Sequence, residues 1–160
     1  MEIRSYATAD APAILKLFRE TILSVNHGDY TQEQCEIWAN SFSSIESLDS
    51  RLRNSFAVTA EVDWVVAGFG NLNSQREIDL LYTHKNYQAR GIGSAILRKL
   101  ESVACLKGYE ELTTEASITA LDFFLSKGYV EVKMQNKRVG GIEFINFIMK
   151  KTCDEHRSNT

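Results

Sequence analysis

The spacing of apolar positions changes several times along the chain, and each change marks an element. A short strand is expected over residues 2–6. Asp10-Ala11-Pro12 reads as a helix start, with Asp10 as N-cap and a proline in the first turn. Ile14, Phe18, Ile22 and Val25 follow at helical spacing, and His27-Gly28-Asp29 ends the run. Thr31 and Gln34 have the spacing of a capping box, which opens a short helix through Trp38. A third helix is expected from Ser43, with Glu46 completing its box and Leu48 and Leu52 on its apolar side. After Asn54 the period drops to two: Phe56, Val58, Ala60 and Val62 alternate as in a strand. A turn is expected at Glu61-Val62-Asp63, then a strand from Trp64 to Leu72 interrupted by Gly68 and Gly70. The next strand, Glu77 to Thr83, is expected to present Ile78, Leu80 and Tyr82 on one face. Three strands joined by short turns predict an antiparallel meander.

The helical period returns at Ile92, Ile96, Leu100 and Val103 and stops at Gly108. A strand over 111–115 leads to a short helix capped by Ser117 or Thr119, with Ala120, Phe123 and Phe124 inside and Gly128 at its end. Two last strands, 129–134 and 142–149, join through Gly140-Gly141. Strand, helix and strand in succession predict a parallel pair inside an otherwise antiparallel sheet. The expected fold is therefore α/β (α+β), one domain over residues 1–150. Its sheet is mixed and mostly antiparallel, of about seven strands, with helices on both faces. Residues 151–160 are expected to be a polar tail.

Composition narrows the function. The chain has 160 residues, 44% hydrophobic and 24% charged, which excludes a disordered or fibrous protein. A net charge of −3 argues against wrapping a nucleic acid, although a local basic patch can still hold a phosphate. Cys35, Cys105 and Cys153 are widely spaced and form no Cys/His cluster, so no metal site is expected and a reduced, cytoplasmic chain is. No apolar run approaches the roughly 18 residues of a membrane span. Met1-Glu2-Ile3-Arg4 leads directly into foldable sequence, so no targeting segment is expected either.

Residues 77–104 carry the chemistry. A strand enters the loop Gln88-Ala89-Arg90-Gly91-Ile92-Gly93-Ser94, which runs straight into a helix. Backbone N–H groups of such a loop and of the first helical turn converge without partners, an arrangement that binds phosphate or pyrophosphate. The glycines let a ligand approach the backbone, and Arg90 adds positive charge. Ile96 stands where a dinucleotide fingerprint needs a small residue, and there is no GxxxxGK loop. On local residues alone, a tight strand-to-helix turn with no ligand remains open.

The segment Leu81-Tyr82-Thr83, followed by Tyr87-Gln88-Ala89-Arg90-Gly91-Ile92-Gly93, resembles the acetyl-CoA signature of the GNAT N-acetyltransferase family, Arg/Gln-x-x-Gly-x-Gly/Ala. Ala116 through Tyr129 resembles that family's second motif, Val66-Ala67-Gly68-Phe69 is typical of it, and the order of elements matches to Met149. Tyr30 through Ala39, Glu115 through Ala120 and Asn146 through Lys150 resemble a YafP-type branch.

The resemblance implies acetyl transfer from acetyl-CoA to an amine, small molecule or protein, by direct attack in a ternary complex. It places pyrophosphate on Gln88, Ala89, Arg90, Gly91, Ile92, Gly93 and Ser94, and the pantetheine arm along Leu81, Tyr82 and Thr83 as an added strand would lie. A backbone N–H near Leu81 or Tyr82 would steady the oxyanion. Glu77 and Asp79 are the implied general bases, with a solvated strand edge as the plain alternative. Phe124 occupies the position of the family's usual tyrosine acid, which leaves water, or the hydroxyl of Tyr82 or Tyr129, to protonate the thiolate. Ser117 stands where an asparagine often touches pantetheine. His27, Tyr30 and Trp38 fall in the acceptor region, where an aromatic pair beside carboxylates suits a cationic amine; packing is the other role open to Tyr30 and Trp38. No nucleic acid or membrane partner is implied, and a homodimer through strand edges is compatible with the fold. A non-catalytic acyl-CoA-binding module is the alternative function.

Overall fold

A computed structural model of the chain describes residues 1–153; the remainder of the expected tail, His156 included, lies outside the described residues. The strands are β1 (Glu2–Ser5), β2 (Phe56–Val62), β3 (Val65–Leu72), β4 (Glu77–Thr83), β5 (Glu111–Ser117), β6 (Val130–Val139) and β7 (Ile142–Thr152). They form one seven-stranded sheet in the order β1-β2-β3-β4-β5-β7-β6. Every neighbouring pair is antiparallel except β4 and β5, which run parallel. The helices are α1 (Ala11–Ser24), α2 (Gln32–Ala39), α3 (Ile45–Arg53), α4 (Ile92–Leu106) and α5 (Leu121–Ser126).

The helices divide the core in two. On one face Ile14, Phe18 and Ile22 of α1 join Cys35 of α2 and Leu48 and Leu52 of α3 over Phe69 and Leu80. On the other, Ile92, Ile96 and Leu100 of α4 and Phe124 of α5 cover Val58, Ala67, Ile78 and Met149. With both faces covered, residues 57–60 of β2 are all buried. The glycines of β3 set the depth of α4. A Cβ on Gly68 would come within 2.9 Å of both Ile92 Cγ2 and Ile96 Cδ1, and one on Gly70 within 2.8 Å of Ile96 Cγ2. Bare backbone at these two positions brings the start of α4, and the loop before it, close to the sheet.

Local polar groups refine several boundaries. The Thr31 and Gln34 capping box forms as expected, with Thr31 Oγ1 accepting from the Gln34 N–H at 3.1 Å and Gln34 Oε1 from the Thr31 N–H at 2.9 Å. The box before α3 instead uses Ser44 and Ser47, one residue beyond the expected pair. Asp10 precedes α1 but makes no side-chain cap to it. Its carboxylate turns back to accept from the Ala7 N–H and from Arg4, tying the chain to β1. The turn between β2 and β3 lies at Asp63 and Trp64, which both take positive φ, rather than at 61–63. The last strand runs on through Thr152, where it pairs with Glu111, so residues 151 and 152 belong to the sheet and not to a tail.

Candidate active site

The parallel pair is short. Glu77 pairs with Thr113 and Ile78 with Thr114, and beyond Ile78 the two strands part. Thr114 Oγ1 donates to the Ile78 carbonyl at 2.8 Å at the point of divergence. β4 carries a bulge at the same place. Leu72 faces Ile78 while Asn71 faces Leu80, so Asp79 is an extra residue on β4. A bulge leaves a ladder group unpaired, and Asn71 supplies the missing partner from its side chain. Its Oδ1 accepts from the Leu80 N–H at 2.9 Å, and its Nδ2 donates to Asp79 at 3.1 Å and to Ser55 at 3.0 Å. Asn71 is fully buried, as such a structural amide must be to hold its geometry.

The bulge corrects the expected alternation of β4. Ile78 packs under α4, whereas Leu80 and Tyr82 lie on the opposite face with α1 and α3. Glu77 and Asp79, on either side of the displaced register, line the same cavity. The His84 N–H donates to Ala67 and the Leu80 N–H to Asn71, so even-numbered amides of this stretch turn toward β3. By strand alternation the Leu81 N–H faces the gap left by β5.

Two cavities meet in that gap. One, of about 230 Å³, runs between the ends of β4 and β5 past Leu81, Thr83, Gln88 and Phe124. The other, of about 360 Å³, lies under α2 and the β6–β7 hairpin. Trp38, Asp79, Tyr82, Glu115 and Ser117 line both, and so form the junction.

The carboxylates near the junction differ in their partners. Asp79 is held by two guanidinium nitrogens of Arg51, with Nε at 2.8 Å from Oδ2. Glu115 is paired with the Lys137 ammonium and accepts from Gln135. Among the described residues Glu77 has no cation of this kind; it accepts from Asn73 Nδ2 at 3.0 Å. Burial, and then the negative charge of Asp79, push the Glu77 carboxyl above its ordinary value. Burial likewise raises the Tyr82 phenol well above the usual range, so it keeps its proton at neutral pH.

The loop before α4 turns through two left-handed residues, Ala89 at φ +58° and Gly91 at φ +81°. Gly91 is the N-cap residue and makes no side-chain cap. The first N–H groups of α4 therefore remain available to an anion, and the helix dipole adds to their pull. Gln88 Nε2 donates to the Thr83 carbonyl at 2.7 Å and closes the loop from inside. Arg90 is exposed, its guanidinium over the Tyr87 ring at 5.1 Å. The Ile92 side chain is buried in the core, which leaves its N–H as the part that faces the loop.

The structure thus gathers Leu81, Tyr82, Thr83, Gln88, Ser117 and Phe124 round one cavity. Ser117 also caps the turn before α5, its Oγ accepting from the Ala120 N–H at 3.1 Å. Tyr30 and Trp38 line the larger cavity with their rings 5.4 Å apart. The Tyr30 hydroxyl is already used: it donates to the Ile145 carbonyl at 2.8 Å and accepts from the Ile118 N–H at 2.9 Å, bracing β7 against the end of β5. His27 is exposed and lines neither cavity; its neighbour Asn26 lines the smaller one. Tyr129 is buried under α5 with its hydroxyl on Glu101 at 3.1 Å, and lines neither cavity. The structure adds Arg51, Glu115, Lys137 and Asn146, which sequence reasoning missed. They come from four elements far apart in the chain, and no local spacing singles them out.

No metal-ligating cluster exists among the described residues, and no helix there is long and apolar enough to cross a membrane.

Comparison with known proteins bears on the same residues. An acetyltransferase (GNAT) domain model matches residues 26–152, which include β4, the loop, α4 and most of the lining of both cavities. The chain is 30% identical over 150 residues to the uncharacterized N-acetyltransferase YafP of Escherichia coli (strain K12), covering 94% of this chain and 95% of that one. A GCN5-related N-acetyltransferase from Rhodopseudomonas palustris superposes with a TM-score of 0.92 at 30% identity, over 94% of each chain. The PaiA N-acetyltransferase of Thermoplasma acidophilum, solved in complex with coenzyme A, has the same fold, with a TM-score of 0.77 at 23% identity over 94% of this chain and 98% of that one. With its splayed parallel strands, its glycine loop and these relatives, the chain belongs to the GNAT acetyltransferase family.

Proposed function

We propose that the protein transfers the acetyl group of acetyl-CoA to an amine, by direct attack in a ternary complex. The observation that carries this is the meeting of two cavities at the splay of β4 and β5, with a carboxylate, a phenol and a free strand amide around the junction. A phosphate-bearing donor with a long amide arm fits the smaller cavity. Its open end adjoins the unpartnered N–H groups of Gln88 to Ser94, and its wall is the β4 edge that has lost its neighbour. That the PaiA relative was solved in complex with coenzyme A supports a donor of this class.

Acetyl-CoA supplies an acetyl group on a thiol that is a fair leaving group. The amine approaches from the larger cavity. Glu77 is the general base, because Asp79 is tied to Arg51 and Glu115 to Lys137. The raised Glu77 carboxyl is a stronger base than an ordinary carboxylate, and it takes the amine proton directly or through water. The Leu81 N–H donates to the carbonyl oxygen as negative charge develops there. A bond forms from nitrogen to the acetyl carbon, the carbon–sulfur bond breaks, and the thiolate takes a proton. Phe124 has none to give, and water supplies it, since a thiolate of this kind needs no strong acid to leave.

Thermal unfolding with acetyl-CoA, CoA or NADH tests the donor assignment. At a hundredfold over its Kd, a ligand stabilises the fold by about 2.7 kcal/mol, a rise of about 5–10 °C for a chain of this size. A rise with both CoA compounds and none with NADH is expected. No rise with either CoA compound overturns the assignment. Binding of CoA with no acetylation of any amine favours the non-catalytic module.

A further inference from the structure

The larger cavity is lined by six aromatic rings, those of Phe18, Tyr30, Trp38, Phe42, Tyr82 and Phe144. Trp38 sits at their centre, edge-on to Tyr30, Tyr82 and Phe144 at centroid distances of 5.4, 6.4 and 6.4 Å. Rings in this arrangement offer their faces to a planar apolar body and to a cation.

The charges of the cavity nearly cancel. Its carboxylates are Glu77, Asp79 and Glu115, and its cations are Arg51 and Lys137. Asp79 and Glu115 spend their charge on those two cations. One net negative charge remains, on Glu77. A polyamine would bring further ammonium groups beside Arg51 and Lys137. An amino acid would bring a carboxylate, and Arg51 is already committed to Asp79. A volume of about 360 Å³ is at the low end for small-molecule pockets and suits a body of one or two rings.

We infer that the acceptor is an arylalkylamine, a primary amine with a single positive charge on a flat aromatic body. The ring stacks in the aromatic wall around Trp38. The ammonium group pairs with Glu77, then loses its proton to Glu77 before attack. This rests on the acetyl-transfer function proposed above, and it names which amine that function serves.

The test is release of free CoA from acetyl-CoA with five probes at matched concentrations: phenethylamine, tryptamine, phenylalanine, spermidine and glucosamine. Phenethylamine or tryptamine is expected to exceed the other three at least tenfold in kcat/KM. Spermidine, glucosamine or phenylalanine as the best acceptor overturns the inference and leaves acetyl transfer standing. Acetylation of none of the five, while CoA still raises the unfolding temperature, also overturns it. Loss of that CoA effect overturns the transferase function itself.

Discussion

The two cavities that meet at the β4–β5 splay are built on different principles. The smaller one, with its loop, joins backbone (the free edge of β4, two left-handed residues and the first turn of α4) to side chains of α1, β5 and α5. The larger one is made of side chains from α1, α2, α3 and four strands, held by ion pairs and ring contacts across the whole chain. A backbone site recognises what every donor of its class shares, namely phosphates and amides. A side-chain site recognises one acceptor, and can be rebuilt without disturbing the other. The junction, where Asp79 and Tyr82 stand with Glu77 beside it in the larger cavity, is the part that both sites need.

Glu77→Gln strikes the junction and carries the largest expected effect. It keeps the acceptor oxygen for Asn73 but cannot take a proton, and turnover should fall about a hundredfold or more, with CoA affinity nearly unchanged. The sign of the pH dependence follows from the raised Glu77 carboxyl. Only the ionised form is a base, so kcat/KM should climb with pH through a midpoint above the ordinary carboxylate value, and the variant should lose that limb. Because the native state holds this proton more tightly than the unfolded chain, Glu77 adds stability as pH falls through its raised value and costs stability above it. Glu77→Gln should therefore unfold at a slightly higher temperature near pH 7. Unchanged turnover would remove Glu77 as the base.

Gly91→Val tests whether the donor site is backbone-built. No atom lies within 4 Å of where its Cβ would stand, so the cost is only the conformation at φ +81°. A β-branched residue there costs of the order of 1–3 kcal/mol or turns the loop amides away, and CoA should bind about ten- to a hundredfold more weakly. Titration calorimetry with CoA measures it, and normal affinity would break the comparison.

Arg90→Ala sharpens the same point from the side-chain direction. Its guanidinium is exposed over Tyr87, and such a charge near a phosphate is worth about 0.3–1 kcal/mol. The expected loss is about two- to fivefold, smaller at high salt. A larger loss than in Gly91→Val would mean that side chains, not amides, hold the phosphates.

Much of the fold was legible because its signals are local. The capping box at Thr31, the alternation after Asn54 and the left-handed stop at Gly108 each need only a few neighbouring residues. The errors came where a distant group intervened. Asp10 left its capping role because Arg4 on β1 offers a stronger, charged partner. The alternation expected for Ile78, Leu80 and Tyr82 failed because Asn71, on the neighbouring strand, stabilises an extra residue at Asp79. In the local pattern Asp79 matches Glu77 as a base, and only Arg51, 28 positions away, separates the two.

What the sequence determined by itself is the order of elements, the parallel pair and the glycine loop before α4, since helix caps, strand alternation and glycine conformation act within a few residues. What only the tertiary structure decided is the larger cavity: which carboxylates are tied to cations and which rings share a wall. Those depend on which charges and faces meet across the sheet, and no local period records such meetings.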